Sequence, residues 1–588
     1  MRISHVIIQN FRNIQHLDVS LGNTVVIAGE NNSGKSNFLK AITLPFLAEE
    51  SGYTGKSLSW TDINADARNE YYKYLLDKKD AITSGGISVE EFSKHLPVIS
   101  VQVQLLPEAK EKYYVKDFAS GIADGDIIYQ LKYEFRPKKV ADILPAVKDI
   151  LQAEQVDENN IKTVQLSLLP VELYEYSIFV PGKGSIPYDT LKQFRYMLLA
   201  AERDDFSTSN ERLGSKSLIK LLQMKLEDAD KLKVEKKYSE FFDTLKNLSG
   251  MENIINWQSD SDIDNAKDFF KRISILPNMP PMSSILNSVR LGYDDESLSL
   301  QGLGQRNMIL LLVLINSLIE KSEEIALRIV AIEEPEAHLC INNIKLVSSF
   351  ISAFTTGNSQ VQTFCTTHST EFINKLQFEN VIVMNNGSGI ALRDELDQPA
   401  RDYLSKMPNL DLYKLFFARR CILVEGLTEE LLIRAYLEGK KQLSDIEVLA
   451  FHKGYQDIIK IWKKINATSD RKLGIVRDYD DQEKAKIDHE KLADSRVCIK
   501  TTTGYTLETD IVNTGDNYSL LKDKYGADMG WKTMTAEELQ KDWRSSKSFV
   551  MLKICQDLRT SNLETFVMPN HIQEIISFME DEVKSVAD

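Results

Sequence analysis

The chain reads as an α/β protein, and three observations point there. An apolar run, Thr24-Val25-Val26-Ile27-Ala28, passes through a glycine-bearing loop into sequence of helical character. A second run, Arg328-Ile329-Val330-Ala331-Ile332, ends on two carboxylates, Glu333 and Glu334. Two more runs, Cys421–Val424 and Leu473–Val476, lead to Glu425 and to the pair Asp478 and Asp480. Continuous apolar strands with polar groups at their C-terminal ends are the pattern of sheets that are covered on both faces and bind ligands at that edge.

The loop after the first run is Gly29-Glu30-Asn31-Asn32-Ser33-Gly34-Lys35-Ser36, which has the G-x-x-x-x-G-K-[ST] spacing of a phosphate-binding loop. Its glycines allow backbone N–H groups to turn inward around phosphate oxygens, and the following helix adds partial positive charge at its N-terminus. Gly29, Asn32 and Gly34 shape that cradle, Lys35 reaches the β- and γ-phosphates, and Ser36 offers its hydroxyl to Mg²⁺. The loop is therefore expected to hold a nucleoside triphosphate. Upstream, Ile3, Val6, Ile8, Leu17 and Val19 alternate with polar residues around Asn10-Phe11-Arg12-Asn13, which predicts a hairpin leading into the loop strand.

At 588 residues the chain is too long for one core and should hold two or three domains. A net charge of −15 argues against a surface coated in nonspecific nucleic-acid contacts, although a confined basic groove remains compatible with it. The composition is that of a soluble protein. No apolar run approaches membrane-spanning length, and Met1-Arg2-Ile3-Ser4-His5 leads into a strand rather than a signal peptide, so a cytoplasmic protein with no membrane partner is expected. Cys340, Cys365, Cys421, Cys498 and Cys555 lack metal-ligand spacing and read as reduced, mostly buried thiols.

From Glu49 to Lys94 the sequence is polar and partly helical and reads as a surface insertion. Strand patterns return at Pro97–Leu106 and Ile127–Phe135, where Gln102 and Gln104 are either solvent-side positions or, by resemblance to ABC-type ATPase heads, one of them senses Mg²⁺ and γ-phosphate. Helical, Lys/Glu-rich sequence runs from Ser215 to Arg272; a solvated hairpin and an oligomerisation element both fit it. Leu298-Ser299-Leu300-Gln301-Gly302-Leu303-Gly304-Gln305-Arg306 precedes a long apolar helix, Met308 to Leu318. Glu333 is placed to hold Mg²⁺ through water and Glu334 to polarise water for γ-phosphate hydrolysis. A further strand, Val361 to Thr367, ends at His368.

In the last third, Glu425-Gly426-Leu427-Thr428-Glu429 sets two carboxylates around one turn, and Asp478 and Asp480 can point to one side of a strand end. Carboxylate oxygens in such number suit Mg²⁺ or Mn²⁺, and two such ions can activate water and stabilise the leaving oxygen of a phosphodiester.

The N-F-R-N hairpin, the phosphate loop, the Gly302–Gly304 loop, Glu333-Glu334 and His368 together resemble the ATPase heads of the ABC type found in RecF, SMC and Rad50. The E-G-x-T-E and D-x-D motifs resemble the Toprim domain. In that order they resemble the OLD (overcoming lysogenization defect) family of nucleases, whose relatives by architecture include the nuclease subunit of the Gabija anti-phage system and retron-associated effectors. The resemblance implies an ATPase head over 1–204 and 286–405, an inserted helical dimerisation segment over 205–285, and a Toprim nuclease domain over 406–588. It implies catalytic roles for Glu334, His368 and Lys547, and metal ligation by Glu425, Glu429, Asp478, Asp480 and Glu508, with Asp510 in the same segment. It also implies DNA as substrate, self-assembly into a dimer or tetramer, ATP as regulator, and a helicase or a reverse transcriptase with its msDNA as partner. A DNA-repair or clamp protein whose Toprim domain binds without cutting, and a toxin held inactive by a partner, are the alternatives.

Overall fold

The computed structural model describes residues 1–48, 56–123, 125–153, 156–158, 160–200, 213–246, 282–286, 289, 291–294, 296–319, 325–357, 361–375, 378–405, 411–438, 440–451, 455–467, 469–560 and 562–580. The chain divides into one unit formed by Met1–Leu199, Ile325–Pro335 and Ser348–Asp588, and a second formed by Ala200–Glu324 and Glu336–Val347.

Three sheets build the first unit. One is antiparallel, with strands in the order Ile14–Ser20, Arg2–Phe11, Ile99–Leu106, Asp126–Pro137, Tyr174–Val180 and Gly184–Ser185. Its hairpin has the expected register, Val6 opposite Val19 and Ile8 opposite Leu17, and these four residues are buried while His5 and Asp18 pair at 2.6 Å on the other face. Alternation at period two thus sorts core from solvent along each strand.

The second sheet runs Ser388–Ala391, Val381–Asn385, Thr24–Gly29, Val361–Thr367, Leu327–Glu333, Phe194–Leu199 and Leu47–Ala48. Its strands are parallel apart from the hairpin at its edge. The phosphate-loop strand lies beside the strand leading to His368, and the Glu333 strand lies beside that, so three segments remote in sequence share one C-terminal edge. Gln362 ties this sheet to the hairpin: wholly buried, it accepts from Ile3 N at 2.8 Å and donates to Ile3 O at 2.8 Å and Gly22 O at 2.7 Å.

The third sheet is all parallel, in the order Ile446–Ala450, Arg420–Val424, Lys472–Arg477 and Val497–Thr501. Both the Glu425 and the Asp478 strands are central, which brings their C-terminal ends side by side. Helices Leu427–Glu438, Lys547–Arg559 and Asn570–Glu580 cover the faces through Leu432, Ile554 and Ile575, which are fully buried.

The expected surface insertion between Glu49 and Lys94 is corrected over its described part. Helices Ala65–Asp77 and Val89–Ser93 bury Tyr71, Leu75 and Phe92 in the main core, and Tyr71 donates to Leu168 O at 2.8 Å. Aromatic residues at helical spacing make a buried stripe that the surrounding charge conceals.

In the second unit, helices Leu213–Lys225 and Leu303–Ile319 pack together, and Asp228–Lys246 carries exposed pairs such as Lys231–Asp228 at 2.8 Å and Lys237–Glu240 at 2.6 Å. The remainder of the expected dimerisation segment, residues 205–212 and 247–281, lies outside the described residues. All five cysteines are free thiols; Cys365, Cys421 and Cys555 are buried and Cys340 is exposed. Among the described residues no helix is long and apolar enough to cross a membrane.

Candidate functional site

The phosphate loop has the form its spacing requires. Gly34 adopts φ 111°, a conformation that glycine enters without a Cβ penalty, and it caps the helix Lys35–Thr43. Lys35 is buried and turns back on the loop, donating from Nζ to Gly29 O at 2.9 Å and Glu30 O at 2.8 Å. Asn32 also has positive φ, and its carbonyl accepts from Asn13 of the hairpin at 3.0 Å. Asn13 accepts in turn from Asn37 at 2.8 Å, and Arg12 donates to Asn37 at 3.1 Å, so the N-F-R-N turn braces the loop. Ser36 is exposed on the first turn of the helix.

Glu333 ends its strand, and Glu334 follows at φ 42°, a sparsely populated conformation for a residue with a side chain. Its backbone N–H donates to both Thr366 O and Thr366 Oγ1 at 3.1 Å, which over-determines that strained geometry. The result sets the Glu334 carboxylate 3.2 Å from His368 Nε2. Two of the three residues expected to be catalytic, Glu334 and His368, are therefore neighbours at the ends of two adjacent strands. In the second unit, Gly304 approaches the His338 carbonyl so closely that a Cβ has no room there, which accounts for the second glycine of the Gly302–Gly304 loop.

At the C-terminal edge of the third sheet, Glu425 follows its strand directly and Glu429 lies on the first turn of helix Leu427–Glu438. Gly426 lies between them, and an added Cβ would stand 2.9 Å from Glu429 Oε2 and displace that carboxylate. Asp478 follows the neighbouring strand and accepts from Leu507 N at 3.0 Å. Glu508, one residue further and fully buried, lies 3.2 Å from Lys547 Nζ.

These carboxylates feel one another. Burial, and then Glu429, Glu425 and Glu508, push the Asp478 carboxyl up to about 8. Burial drives Glu425 up to about 7 against the pull of Arg477, with Asp480 and Glu429 adding to the rise. Glu429 is raised as well, by burial first and then by Glu508. Concentrating ionisable acids away from water disfavours their charged forms unless positive charge joins them. Lys547 and Arg477, the latter 3.8 Å from Glu425, supply only part of it. Glu508 Oε1 is buried with no hydrogen-bond partner among the described residues, an acceptor left for a cation. An oxygen-only donor set with a spare buried oxygen fits Mg²⁺ or Mn²⁺. Among the described residues, no three His, Cys, Asp or Glu side chains yet stand together as one ion's coordination sphere.

Asp480 lies on the same loop with φ 45°, its N–H donating to Tyr505 O at 3.1 Å. Asp510 departs from the expected ligand segment: its carboxylate is taken by the backbone N–H groups of Thr503 at 2.8 Å and Gly504 at 2.6 Å, because the short helix Leu507–Asn513 turns it away from Glu508.

Residues 1–373 match the family described as AAA ATPase domain, and residues 416–480 match the family described as Overcoming lysogenization defect protein-like, TOPRIM domain. The chain belongs to the AAA ATPase domain family and carries an OLD-like TOPRIM segment after it. Endonuclease GajA of Bacillus cereus (strain HuB5-5) is similar to it at 23% identity over 342 residues, a stretch covering 51% of this chain and 46% of that protein. The chain thus matches about half the length of this curated relative. Among solved structures, the SMC head domain from Thermotoga maritima is 13% identical with a TM-score of 0.27, covering 66% of this chain and 99% of that one. The Smc head domain with an extended coiled coil bound to the C-terminal domain of ScpA, derived from Pyrococcus furiosus, is 12% identical with a TM-score of 0.28, covering 69% and 99%.

The phosphate loop also touches the start of the D-x-D strand, at the end away from Asp478, a contact that no sequence motif announces. Arg471, immediately before the D-x-D strand, is buried and pairs with Glu30 of the phosphate loop. Its second nitrogen donates to Asn466 at 2.7 Å, and Asn385 donates to Ile465 O at 3.0 Å across the same boundary.

Proposed function

We propose that this protein is an ATP-regulated, divalent-metal-dependent DNA endonuclease of the OLD family that serves in defence against phage. The observation that carries the reading is the buried carboxylate cluster at one sheet edge, with Lys547 beside Glu508 and one Glu508 oxygen unpaired. Glu425, Glu429, Asp478, Asp480 and Glu508 hold the cations. Two divalent ions supply Lewis-acid charge to the scissile phosphate and activate water when bound. Lys547, its ammonium at the rim of the site, orients a non-bridging phosphate oxygen and offsets charge that accumulates in the transition state. Glu425 and Glu429, fixed on either side of Gly426, keep the two ends of the site at constant separation.

In the head, Lys35 and Ser36 bind the triphosphate and its Mg²⁺, with Glu333 as the carboxylate partner of that ion. Glu334 orients water toward the γ-phosphate, and His368 senses the phosphate and holds Glu334. The Leu298–Arg306 loop faces a second copy of the chain, so nucleotide turnover requires a dimer or a tetramer. The Glu30–Arg471 pair carries loop state to the D-x-D strand.

Supercoiled plasmid incubated with Mg²⁺ or Mn²⁺ tests this. Nicking by wild type that EDTA and Glu425→Ala both abolish supports it; nicking that survives Glu425→Ala overturns it. Phage plating on cells carrying either gene tests the defence role.

A further inference from the structure

We propose that Asp510 and His571 form a positioning pair that fixes the distance between the D-x-D aspartates and Glu508, and so sets the site's affinity for divalent metal. The inference rests on the reading of those carboxylates as metal ligands.

The segment Thr502–Leu507 is a strap between the two halves of the site. At one end, Thr502 N donates to Arg477 O at 2.8 Å and Tyr479 N donates to Thr502 Oγ1 at 2.8 Å. In its middle, Asp480 N donates to Tyr505 O at 3.1 Å. At the other end, Leu507 N donates to Asp478 Oδ1 at 3.0 Å, and Thr506 Oγ1 donates to Glu508 Oε2 at 2.7 Å. Five bonds therefore make the strap's shape the ruler between Asp478, Asp480 and Glu508.

Asp510 holds that shape. Its two oxygens accept from consecutive backbone N–H groups, Thr503 and Gly504, and Oδ2 lies 3.1 Å from His571 Nδ1. Both side chains are buried, at 8% and 4% exposure. His571 opens the helix Asn570–Glu580, which packs on the D-x-D strand and is pinned there by Lys472 Nζ donating to Phe578 O at 2.5 Å. The pair thus anchors the strap to the sheet that bears Asp478. Both ring nitrogens of His571 are buried and neither has hydrogen-bond geometry to a partner among the described residues, so its tie to Asp510 is the close 3.1 Å approach of Nδ1 to Oδ2. Groups that orient ligands from behind change metal affinity by about ten- to a hundred-fold when lost.

Mn²⁺ binding to the full chain by calorimetry, without DNA, is the test, run beside Mn²⁺ titrations of plasmid nicking. Asp510→Asn puts an amide N–H against a backbone N–H, and His571→Leu removes the polar ring that lies against Asp510. Each should weaken Mn²⁺ binding by about ten- to a hundred-fold, with nicking recovering at saturating Mn²⁺. His571→Asn, whose amide can donate from the Nδ1 position, should bind Mn²⁺ as wild type does. The double variant should lose no more than the worse single one, since the pair acts as one unit. Affinities within twofold of wild type in both single variants, or His571→Asn behaving as His571→Leu, overturn the proposal. Failure of wild type to bind Mn²⁺ overturns it too. Wild type that binds Mn²⁺ but cuts no DNA overturns the nuclease reading while this comparison still stands.

Discussion

Arg471 and Glu30 are 441 residues apart in the chain and form an ion pair that joins the D-x-D strand to the phosphate loop. Arg471 sits at the N-terminal end of the strand whose C-terminal end delivers Asp478, so a displacement of the loop is felt along one rigid element. Glu30 is half exposed, which limits such a pair to about 0.5–1 kcal/mol. Arg471→Met should therefore move the ratio of nicking rates with and without ATP toward one by about two- to five-fold. An unchanged ratio counts against this route of communication.

The acids of the Toprim site make a second expectation about pH. Asp478 and Glu425 bind protons more tightly folded than unfolded, where carboxyls titrate near 4. Their contribution to the stability of metal-free protein is complete below about pH 4 and is lost as pH rises through about 7 and 8. Asp478→Asn removes the larger of these penalties. Thermal melts in EDTA should show the variant gaining on wild type between pH 6 and pH 8.5, and added Mn²⁺ should stabilise wild type more at the upper pH. A difference that is flat across that range contradicts the assignment.

Gly426 gives a test of geometry alone. In Gly426→Ala the new methyl meets only the far end of the Glu429 side chain, 2.9 Å away, so the fold can yield cheaply. The melting temperature should hardly move, while nicking should fall by about tenfold or more because Glu429 is displaced. Loss of activity in step with loss of folded protein would point instead to a structural glycine.

Gln362 joins the two sheets of the head, and Gln362→Ala strands three buried backbone partners, Ile3 N, Ile3 O and Gly22 O. A cost of about 2–4 kcal/mol is expected in a denaturant melt. A loss below about 0.5 kcal/mol would mean that water reaches those groups.

Much of this organisation is legible in the chain. The phosphate loop, the Glu333-Glu334 strand end and both Toprim motifs are short local patterns, each with a strand before it, and in the structure Glu334 lies 3.2 Å from His368 while Leu507, next to Glu508, donates to Asp478. What stays hidden is either masked by charge or set by tertiary contact. The buried stripe of Tyr71, Leu75 and Phe92 lies among acidic and basic neighbours that make the segment read as surface. Asp510 resembles Glu508 in type and position, and only the capture of its oxygens by Thr503 and Gly504 separates their roles. Neither Arg471 nor His571 belongs to a motif, and their partners lie far off in sequence.

The central claim is that the cluster around Glu508 and Lys547 cuts DNA with divalent metal, and initial rates of supercoiled-plasmid nicking in Mn²⁺ measure it most directly. The account predicts metal-dependent nicking by wild type, a loss of about a hundredfold or more in Glu508→Gln, and a comparable loss in Lys547→Met with Mn²⁺ binding retained. Nicking at the wild-type rate in Glu508→Gln, or in EDTA, would contradict it.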